Sequence, residues 1–169
     1  MLRLDEGESM LVSSSLIRKL VSEGKVHRAA LCLGRPFTLA GPVVEGDRRG
    51  RLLGFPTANL DVQDQLLPAD GVYAGHTTID KATFLCGISV GRRPTFDDRT
   101  HAVEAHLLDF DGDLYGRRLR IQFDRFLRGQ TTFESPEALA AQLRQDVAAI
   151  RKGHDRDFTT GTDPSESST

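Results

Sequence analysis

Apolar and polar residues alternate repeatedly between residues 35 and 128, which predicts β-structure through the middle of the chain. In the segment 119–124, Leu, Ile and Phe occupy one face and Arg, Gln and Asp the other. The segment 103–107 alternates in the same way, so that Glu104 and His106 share its polar face. Further strands are predicted at 72–79 and 84–90, with turns at 68–71, 97–98 and 111–113. Short strands separated by turn clusters favour an antiparallel sheet or barrel.

Apolar side chains at helical spacing predict helices on both sides of this region. Three serines, 13–15, offer N-caps before a first apolar run, 16–21, and a second short helix is predicted over 26–33 with a glycine at its end. Because the joint between them is short, the two helices are expected to form an antiparallel hairpin. A longer helix is expected after Ser135, with Pro136 at its first position. Its apolar stripe has four members: Leu139, Leu143, Val147 and Ile150.

These elements divide the chain of 169 residues into four parts. Residues 1–12 are acidic, carry no periodic pattern and are expected to be flexible. The helical hairpin occupies 13–34, and the β-rich domain with its C-terminal helix occupies 35–153. Beyond Gly153 the sequence becomes polar and rich in Ser, Thr and Asp, which predicts a disordered tail at 154–169.

Composition and charge narrow the class of protein. Hydrophobic residues make up 38% and charged residues 27% of the chain, as in ordinary soluble domains. The formal net charge of −2 provides no basic field for nucleic acid, and no apolar run is long enough to cross a membrane. The N-terminus lacks the features of a signal peptide. Cys32 and Cys86 lie in separate apolar segments and are expected to be buried free thiols, which fits a reducing, cytoplasmic location.

The glycine-rich segment, residues 41–59 (GPVVEGDRRGRLLGFPTAN), combines closely spaced glycines with three arginines. Glycines allow a backbone to approach a ligand closely, and the arginines supply local positive charge, so the segment suits a phosphate-bearing ligand. It is neither a Walker loop nor a Gly-x-Gly-x-x-Gly dinucleotide motif. A basic, solvated hairpin turn is the alternative interpretation.

Two polar side chains at the end of this segment are candidate metal ligands. In an extended chain Thr57 and Asn59 point to the same side and present a hydroxyl and an amide carbonyl together. Such oxygen donors suit Mg²⁺, whose remaining ligands are commonly water and phosphate. Because both side chains are neutral, the negative charge at such a site would come from the ligand. An Asx or Ser/Thr turn is the alternative interpretation.

Three further features are considered for chemistry. Glu104 is a carboxylate on a half-apolar strand and a candidate general base for phosphoryl transfer, with a solvated surface carboxylate as the alternative. His106 with Ser89 and Asp109 has the composition of a hydrolase triad, but no Gly-x-Ser-x-Gly elbow accompanies it. Arg128 precedes an aromatic residue and is suited to stacking on a flat ring system, with an arginine at a sheet edge as the alternative.

Taken in order along the chain, these segments resemble the riboflavin kinase family, whose members phosphorylate riboflavin to FMN. The matching strings, spread over residues 33–152, are LGRPF (33–37), GPVVEG (41–46), LGFPTANL (53–60), LPADGVYAG (67–75), ISVG (88–91), PTF (94–96), VEAH (103–106), LYG (114–116), LR (127–128) and FES (133–135). The GFPTAN string with a downstream Val-Glu-x-His is highly specific, so the separate alternatives lose most of their weight. The resemblance implies a mainly β fold: a small Greek-key antiparallel β-barrel with a C-terminal α-helix, here preceded by the short helical hairpin.

The same resemblance implies roles for individual residues. Thr57 and Asn59 match the positions that hold Mg²⁺ and the phosphates of ATP. Glu104 matches the base that deprotonates the terminal ribityl hydroxyl for attack on the γ-phosphate. Arg128 and Phe133 fall in the segment that contacts the flavin. The remaining positions implied to bind ATP are Gly46, Arg51, Leu107, Asp109 and Tyr115.

Two features depart from the family pattern. Residues 129–132 are Gly-Gln-Thr-Thr, where the family often has charged residues in its flavin segment. The segment 12–18 (VSSSLIR) resembles the end of the adenylyltransferase module of bifunctional FAD synthetases, whose nucleotide-binding body and His-x-Gly-His motif are missing here. We therefore expect this chain to make FMN but not FAD by itself, with a separate adenylyltransferase as a candidate partner. A non-catalytic flavin-binding or regulatory module of the same fold is the alternative.

Overall fold

The computed structural model describes residues 2–4, 8–46, 49–92 and 101–159 of the chain. Its elements in chain order are β1 (Leu2–Leu4), β2 (Glu8–Met10), α1 (Ser14–Ser22), α2 (Val26–Leu33), β3 (Phe37–Val44), α3 (Arg49–Leu52), β4 (Ala58–Leu60), β5 (Gly71–Ile79), β6 (Ala82–Arg92), β7 (His101–Leu107), β8 (Arg118–Arg128) and α4 (Pro136–Thr159). Each strand and helix predicted from the sequence is present, and each predicted strand is longer than its alternation indicated. The turn predicted at 97–98 lies outside the described residues.

The strands β3 to β8 close into an antiparallel barrel in the order β3-β4-β7-β6-β5-β8. All neighbouring pairs are antiparallel. Strands β5, β6 and β7 are successive neighbours, and β8 returns to lie beside β5, which is a Greek-key connection. The predicted Greek-key antiparallel β-barrel is therefore confirmed. Among the described residues, closure gives every strand of the barrel a neighbour on both sides.

The core of the barrel consists of the inward-facing apolar residues of its strands. The ring of Phe123 lies against those of Phe37 and Tyr73, with centroid distances of 5.6 and 5.3 Å. Leu119, Ile121 and Phe123 are all buried, so the inward face predicted for this strand is the observed one. Burial of these aromatic and aliphatic side chains supplies the main hydrophobic stabilisation of the domain.

Both cysteines are buried free thiols, as predicted. Cys86 lies on β6 within the core, where burial raises the pKa of its thiol. A thiol that stays protonated is a poor nucleophile and a poor metal ligand. Cys86 therefore contributes packing rather than chemistry.

The two N-terminal helices are joined by a turn that rests on the barrel. Ser13 caps α1, because its hydroxyl accepts a hydrogen bond from the Leu16 amide at 3.2 Å. In the turn, Gly24 has a left-handed φ of 75°. Its backbone lies against the Tyr73 hydroxyl, which a Cβ at this position would approach to 3.0 Å. Both the conformation and the close approach favour glycine at this position, which joins the hairpin to the core.

The fold corrects two expectations about the ends of the chain. The sequence predicts no element before Ser13, yet β1 and β2 pair as a two-stranded antiparallel sheet. Three-residue strands are too short to show a period. The C-terminal helix is predicted to end near Gly153, but α4 continues to Thr159. A glycine inside a helix costs only about 1 kcal/mol relative to alanine, and Gly153 leaves room here for the Arg125 guanidinium.

The C-terminal helix α4 packs on the outer face of the barrel. Ile150 and Val147, two members of the predicted stripe, lie in one apolar cluster with Ala74 of β5 and Leu108. The Cδ1 atom of Ile150 reaches the backbone of Gly87 on β6, since a Cβ there would lie 3.3 Å from it. This packing fixes α4 beside the face of the barrel that carries the site described below. Within the described ranges, no helix is long and apolar enough to span a membrane.

A partly buried contact between a histidine of β5 and an aspartate of β8 is expected to make the stability of the barrel depend on pH. His76 Nδ1 lies 3.0 Å from Asp124 Oδ1, and the hydrogen bond to this carboxylate raises the pKa of His76. A raised folded-state pKa means that the stabilisation is complete below the unfolded value of about 6.5 and is lost as the pH rises through the folded value. We expect His76→Gln to lose about 0.5–1 kcal/mol more free energy of unfolding at about pH 5.5 than at about pH 8.5.

Urea unfolding of the wild type and of His76→Gln at both pH values measures this difference. Asp124→Asn removes the other partner and should abolish the same pH-dependent increment. Equal losses for His76→Gln at the two pH values would contradict a stabilising role for the charged pair.

Candidate active site

Three polar residues lie side by side on the outer face of the barrel. Asn59 on β4 is the register partner of Glu104 on β7, and Glu104 is in turn the partner of Ser89 on β6. Directly opposed residues of antiparallel strands have Cα atoms about 5 Å apart and side chains on the same face. The candidate general base therefore lies between a candidate metal ligand and a serine hydroxyl.

The same row of residues continues across β5 to the end of β8. Ser89 is the partner of Val72, and Val72 is the partner of Arg128. The β5–β8 register shifts here by a β-bulge, which accommodates the extra residue Leu127 and turns Arg128 towards the face that carries Glu104. We call these five register positions, Asn59, Glu104, Ser89, Val72 and Arg128, the active-site row. It spans four strand spacings, about 19 Å along the barrel surface.

The glycine-rich segment covers Asn59. Gly41 lies within β3 against the Asp61 carbonyl, so the irregular part of the segment begins only at Glu45, later than the sequence indicated. Asn59 is 5% exposed. The backbone of Gly46 lies so close that a Cβ there would come within 2.1 Å of Asn59 Nδ2 and 2.4 Å of Oδ1. Only glycine fits this contact without moving the amide.

The other positions that the resemblance implies for ATP are dispersed. The side chain of Arg51 is exposed on α3, and Tyr115, in the connection before β8, is 46% exposed. Leu107 is buried in the core cluster, so its side chain faces away from the outer surface. Asp109 is bound by Arg151 of α4 in a two-pronged ion pair at 2.8 and 2.9 Å, which holds the pKa of its carboxyl below the usual value. The fold therefore groups Asn59 with Glu104, but it engages Asp109 with α4.

Arg128 is held in place by α4. Its Nε and Nη2 donate to the Asp146 carboxylate at 3.0 and 2.8 Å, and Gln142 donates to the same carboxylate at 3.0 Å. The guanidinium carbon lies 5.8 Å from the ring centroid of Phe133, so the two candidate flavin contacts touch each other. Asp146 and Gln142 were not foreseen. The sequence does contain one signal for Asp146: it is a carboxylate on the apolar face of the predicted helix, seven residues after Leu139.

Gln130 ties the segment after β8 to the active-site row. Its Nε2 donates to Ser89 Oγ and to the Val90 carbonyl oxygen, each at 2.9 Å. Because Ser89 is the register partner of Glu104, the side chain of Gln130 is held next to the position of the candidate base. This is the segment whose sequence departs from the family pattern. Its uncharged amide is what allows the bond to a carbonyl oxygen, which a carboxylate cannot make.

His106 makes contacts that the sequence did not reveal. Its Nδ1 lies 2.8 Å from the carbonyl oxygen of Pro56, and its ring meets that of Phe55 edge-on at a centroid distance of 5.4 Å. It follows Glu104 by two residues and shares its outer face. The hydrolase triad is not assembled, because the serine and the aspartate considered for it bond to other partners.

Comparison with known proteins shows the family to which this chain is related. The profile of the flavokinase family, described as riboflavin kinase, matches residues 33–154. The bifunctional riboflavin kinase/FMN adenylyltransferase of Listeria monocytogenes is 41% identical over 142 residues, which is 83% of this chain and 45% of that protein. The enzyme of the same description from Pseudomonas fluorescens is 40% identical over 148 residues, 86% of this chain and 47% of that protein. The chain thus spans about half the length of these curated relatives.

Solved structures show the same fold. A protein described as a macrolide-efflux protein from Streptococcus pneumoniae is 36% identical, with a TM-score of 0.81 over 87% of this chain and 49% of that chain. The riboflavin kinase from Trypanosoma brucei is 24% identical, with a TM-score of 0.54 over 78% of this chain and 92% of that chain. The second match concerns the fold alone. With the profile match over most of the barrel and α4, and with relatives above 30% identity, this chain belongs to the riboflavin kinase family.

Proposed function

We propose that this chain transfers the γ-phosphoryl group of ATP to the 5′-hydroxyl of riboflavin, giving FMN and ADP. Family membership supports this choice of substrate and reaction. The observation that carries the chemistry is the direct opposition of Asn59 and Glu104 across β4 and β7. A neutral oxygen donor suited to a phosphate-bound cation thereby lies next to a carboxylate suited to proton transfer.

Glu104 acts as the general base in this proposal. Its carboxylate accepts the proton of the ribityl 5′-hydroxyl as that oxygen bonds to the γ-phosphorus. The bond from the γ-phosphorus to the oxygen bridging to the β-phosphate breaks, and ADP leaves with that oxygen. Glu104 is half-buried on the outer face of β7, so the hydroxyl approaches from the surface of the barrel. Catalysis rests on positioning and charge neutralisation, with no covalent enzyme intermediate.

Thr57 and Asn59 fit a magnesium ion that is bound together with ATP. They offer hard, neutral oxygen donors. The described part of the chain has no group of three or more His, Cys, Asp or Glu side chains that could hold a metal by themselves. The triphosphate is therefore the expected source of the remaining ligands and of the negative charge. A bound ion would supply charge neutralisation for the phosphates of ATP.

Arg128 and Phe133 are the proposed flavin contacts. The ion pair with Asp146 and a 3.1 Å bond from Nη1 to the Gly129 carbonyl oxygen fix the plane of the guanidinium. Most of its hydrogen-bond donors are therefore used within the protein. What Arg128 offers a flavin is mainly its flat face, beside the ring of Phe133, on which an isoalloxazine can stack.

Gly46→Ala is expected to raise the KM for ATP about tenfold and to leave the KM for riboflavin unchanged. The added Cβ would lie 2.1 Å from Asn59 Nδ2, so the amide must move away from its present position. Overpacking a tight contact costs roughly 1–3 kcal/mol, and about 1.4 kcal/mol corresponds to a factor of ten. Steady-state kinetics with each substrate varied in turn measures both constants, and the riboflavin constant is the internal control. An unchanged KM for ATP would show that the position of the Asn59 amide does not affect ATP binding.

The proposed activity is tested by incubating the purified protein with riboflavin, ATP and Mg²⁺ and separating the flavins by chromatography. We expect FMN to form, and to form only when all three are present. Binding of riboflavin without formation of FMN would favour the alternative, a non-catalytic flavin-binding or regulatory module. The opposition of Asn59 and Glu104 argues against that alternative, because flavin binding alone requires neither residue.

A separate FMN adenylyltransferase is a further proposed partner, and the cytoplasm is the proposed location. The curated relatives are described as bifunctional riboflavin kinase/FMN adenylyltransferases, and the segment 12–18, which resembles the end of an adenylyltransferase module, contains the N-cap and first half of α1 here. Buried free thiols suit a reducing compartment. Gel filtration of this chain with and without a purified FMN adenylyltransferase tests the association, and unchanged elution of both would contradict it.

A further inference from the structure

The segment that leads into β4 cannot attach itself to the barrel by strand pairing alone. β4 pairs with β7 only from Ala58 to Leu60. Pro56 has no amide hydrogen to donate to a neighbouring strand. Thr57, a proposed ligand of the ATP-bound metal ion, thus lies just outside the paired strand. The position of Thr57 therefore depends on the contacts that hold residues 55 and 56.

The side chain of His106 supplies this attachment. A carbonyl oxygen can only accept a hydrogen bond, so the 2.8 Å contact requires that His106 Nδ1 carry a hydrogen and donate it to the Pro56 oxygen. The edge-on contact with the Phe55 ring adds a second point of attachment one residue earlier. Together these contacts hold the chain on both sides of the peptide bond before Pro56.

We infer that His106 is a positioning residue that sets the place of Thr57 relative to Glu104, an inference that rests on the proposed function. His106 follows Glu104 by two positions on β7, so their Cα atoms are about 7 Å apart on the same face. The strand β7, which carries Glu104, therefore also holds the segment that carries Thr57. A shift of Pro56 would move Thr57 away from its ligand without displacing the base. His106 acts through Pro56 and does not itself touch the reacting atoms.

The test compares His106→Leu, which removes the donor, with His106→Asn, whose Nδ2 occupies nearly the place of the histidine Nδ1. We expect the Kd for ATP in the presence of Mg²⁺ to rise about tenfold in His106→Leu, as for the loss of one hydrogen bond. We expect His106→Asn to recover it to within about twofold. Calorimetric titration with ATP and Mg²⁺ measures binding without turnover. Fluorescence titration with riboflavin should give the wild-type Kd for both variants.

Control variants make each result decisive. His27→Leu removes an exposed histidine of α2 and should bind ATP as the wild type does. His106→Ser, too short to reach Pro56, replaces the leucine variant if that variant does not fold. Wild-type ATP affinity in His106→Leu, or equal weakening in His106→Leu and His106→Asn, would overturn the inference and leave the proposed function standing. Failure of the wild type to bind ATP with Mg²⁺ or to form FMN would overturn the proposed function, and the inference with it.

Discussion

Replacement of Glu104 by glutamine should lower the rate of FMN formation about 100-fold or more, the scale of general-base contributions. Glutamine preserves the size of the side chain between Asn59 and Ser89, so the barrel and the ATP site should be undisturbed. Its amide cannot take up the proton of the ribityl hydroxyl. Single-turnover formation of FMN at saturating riboflavin and ATP measures the chemical step directly. A titration with ATP should give an affinity close to that of the wild type.

A matched control for this variant is Glu137→Gln. Glu137 is an exposed carboxylate in the first turn of α4, away from the active-site row, so the change removes the same charge and should leave FMN formation unchanged. Near-normal turnover in Glu104→Gln, with intact binding of both substrates, would show that another group takes the proton. Loss of ATP binding in the same variant would show that Glu104 acts through substrate binding rather than proton transfer.

Asp146→Ala should lower the free energy of unfolding by about 2–3 kcal/mol. The Arg128 side chain is 20% exposed and that of Asp146 is 9% exposed, so the variant leaves a largely buried guanidinium without its counter-ion. Buried pairs lose more than this when one partner is removed, but the partial exposure of Arg128 gives water some access. The guanidinium also loses the carboxylate that fixes its plane, so riboflavin binding should weaken. Urea unfolding and fluorescence titration with riboflavin measure the two effects.

The double variant Arg128→Met/Asp146→Leu separates stability from binding. Two apolar side chains of similar length and branching should restore most of the free energy of unfolding, because buried ion pairs are often replaced at little cost. Riboflavin binding should stay weak, since the guanidinium face beside Phe133 is gone. Arg117→Met is the control, because the Arg117–Asp80 pair is exposed on both sides and should matter little. Wild-type riboflavin binding in the double variant would exclude Arg128 as a flavin contact.

Much of the secondary structure follows from local pattern, because side-chain periodicity and capping are properties of neighbouring residues. The alternation of Leu119, Ile121 and Phe123 predicted the inward face of β8 correctly, and one of the three candidate N-cap serines, Ser13, caps α1. Local patterns predicted the secondary structure wrongly where the element was too short to show a period or where a glycine lay inside a helix. The three-residue strands β1 and β2 show no period, and Gly153 did not end α4 because it packs against Arg125.

The candidate site was only partly accessible from the sequence. The motif resemblance selected Asn59 and Glu104, and these two residues are register partners in the barrel. It gave no hint of Asp146, Gln130 or His106, because their importance lies in contacts with residues far away along the chain. The bond from Gln130 to Ser89 joins residues 41 positions apart, and that from His106 to Pro56 joins residues 50 positions apart. Such contacts form only once the strands have paired in the folded barrel.

The sequence by itself determined the inward faces of β7 and β8, the starts of α1, α2 and α4, that both thiols are buried and to which family the chain is similar; it did not indicate α3, β3 or β4. Each of the determined features depends on local period, residue chemistry or a linear motif. Tertiary structure alone decided that Asn59 stands opposite Glu104, that a bulge turns Arg128 into the same row, and that Arg128 is locked by α4. Strand register and helix docking are set by the simultaneous packing of the whole core, and a shift of one residue would reverse every face. Composition and periodicity therefore do not predict the strand register or the docking of α4.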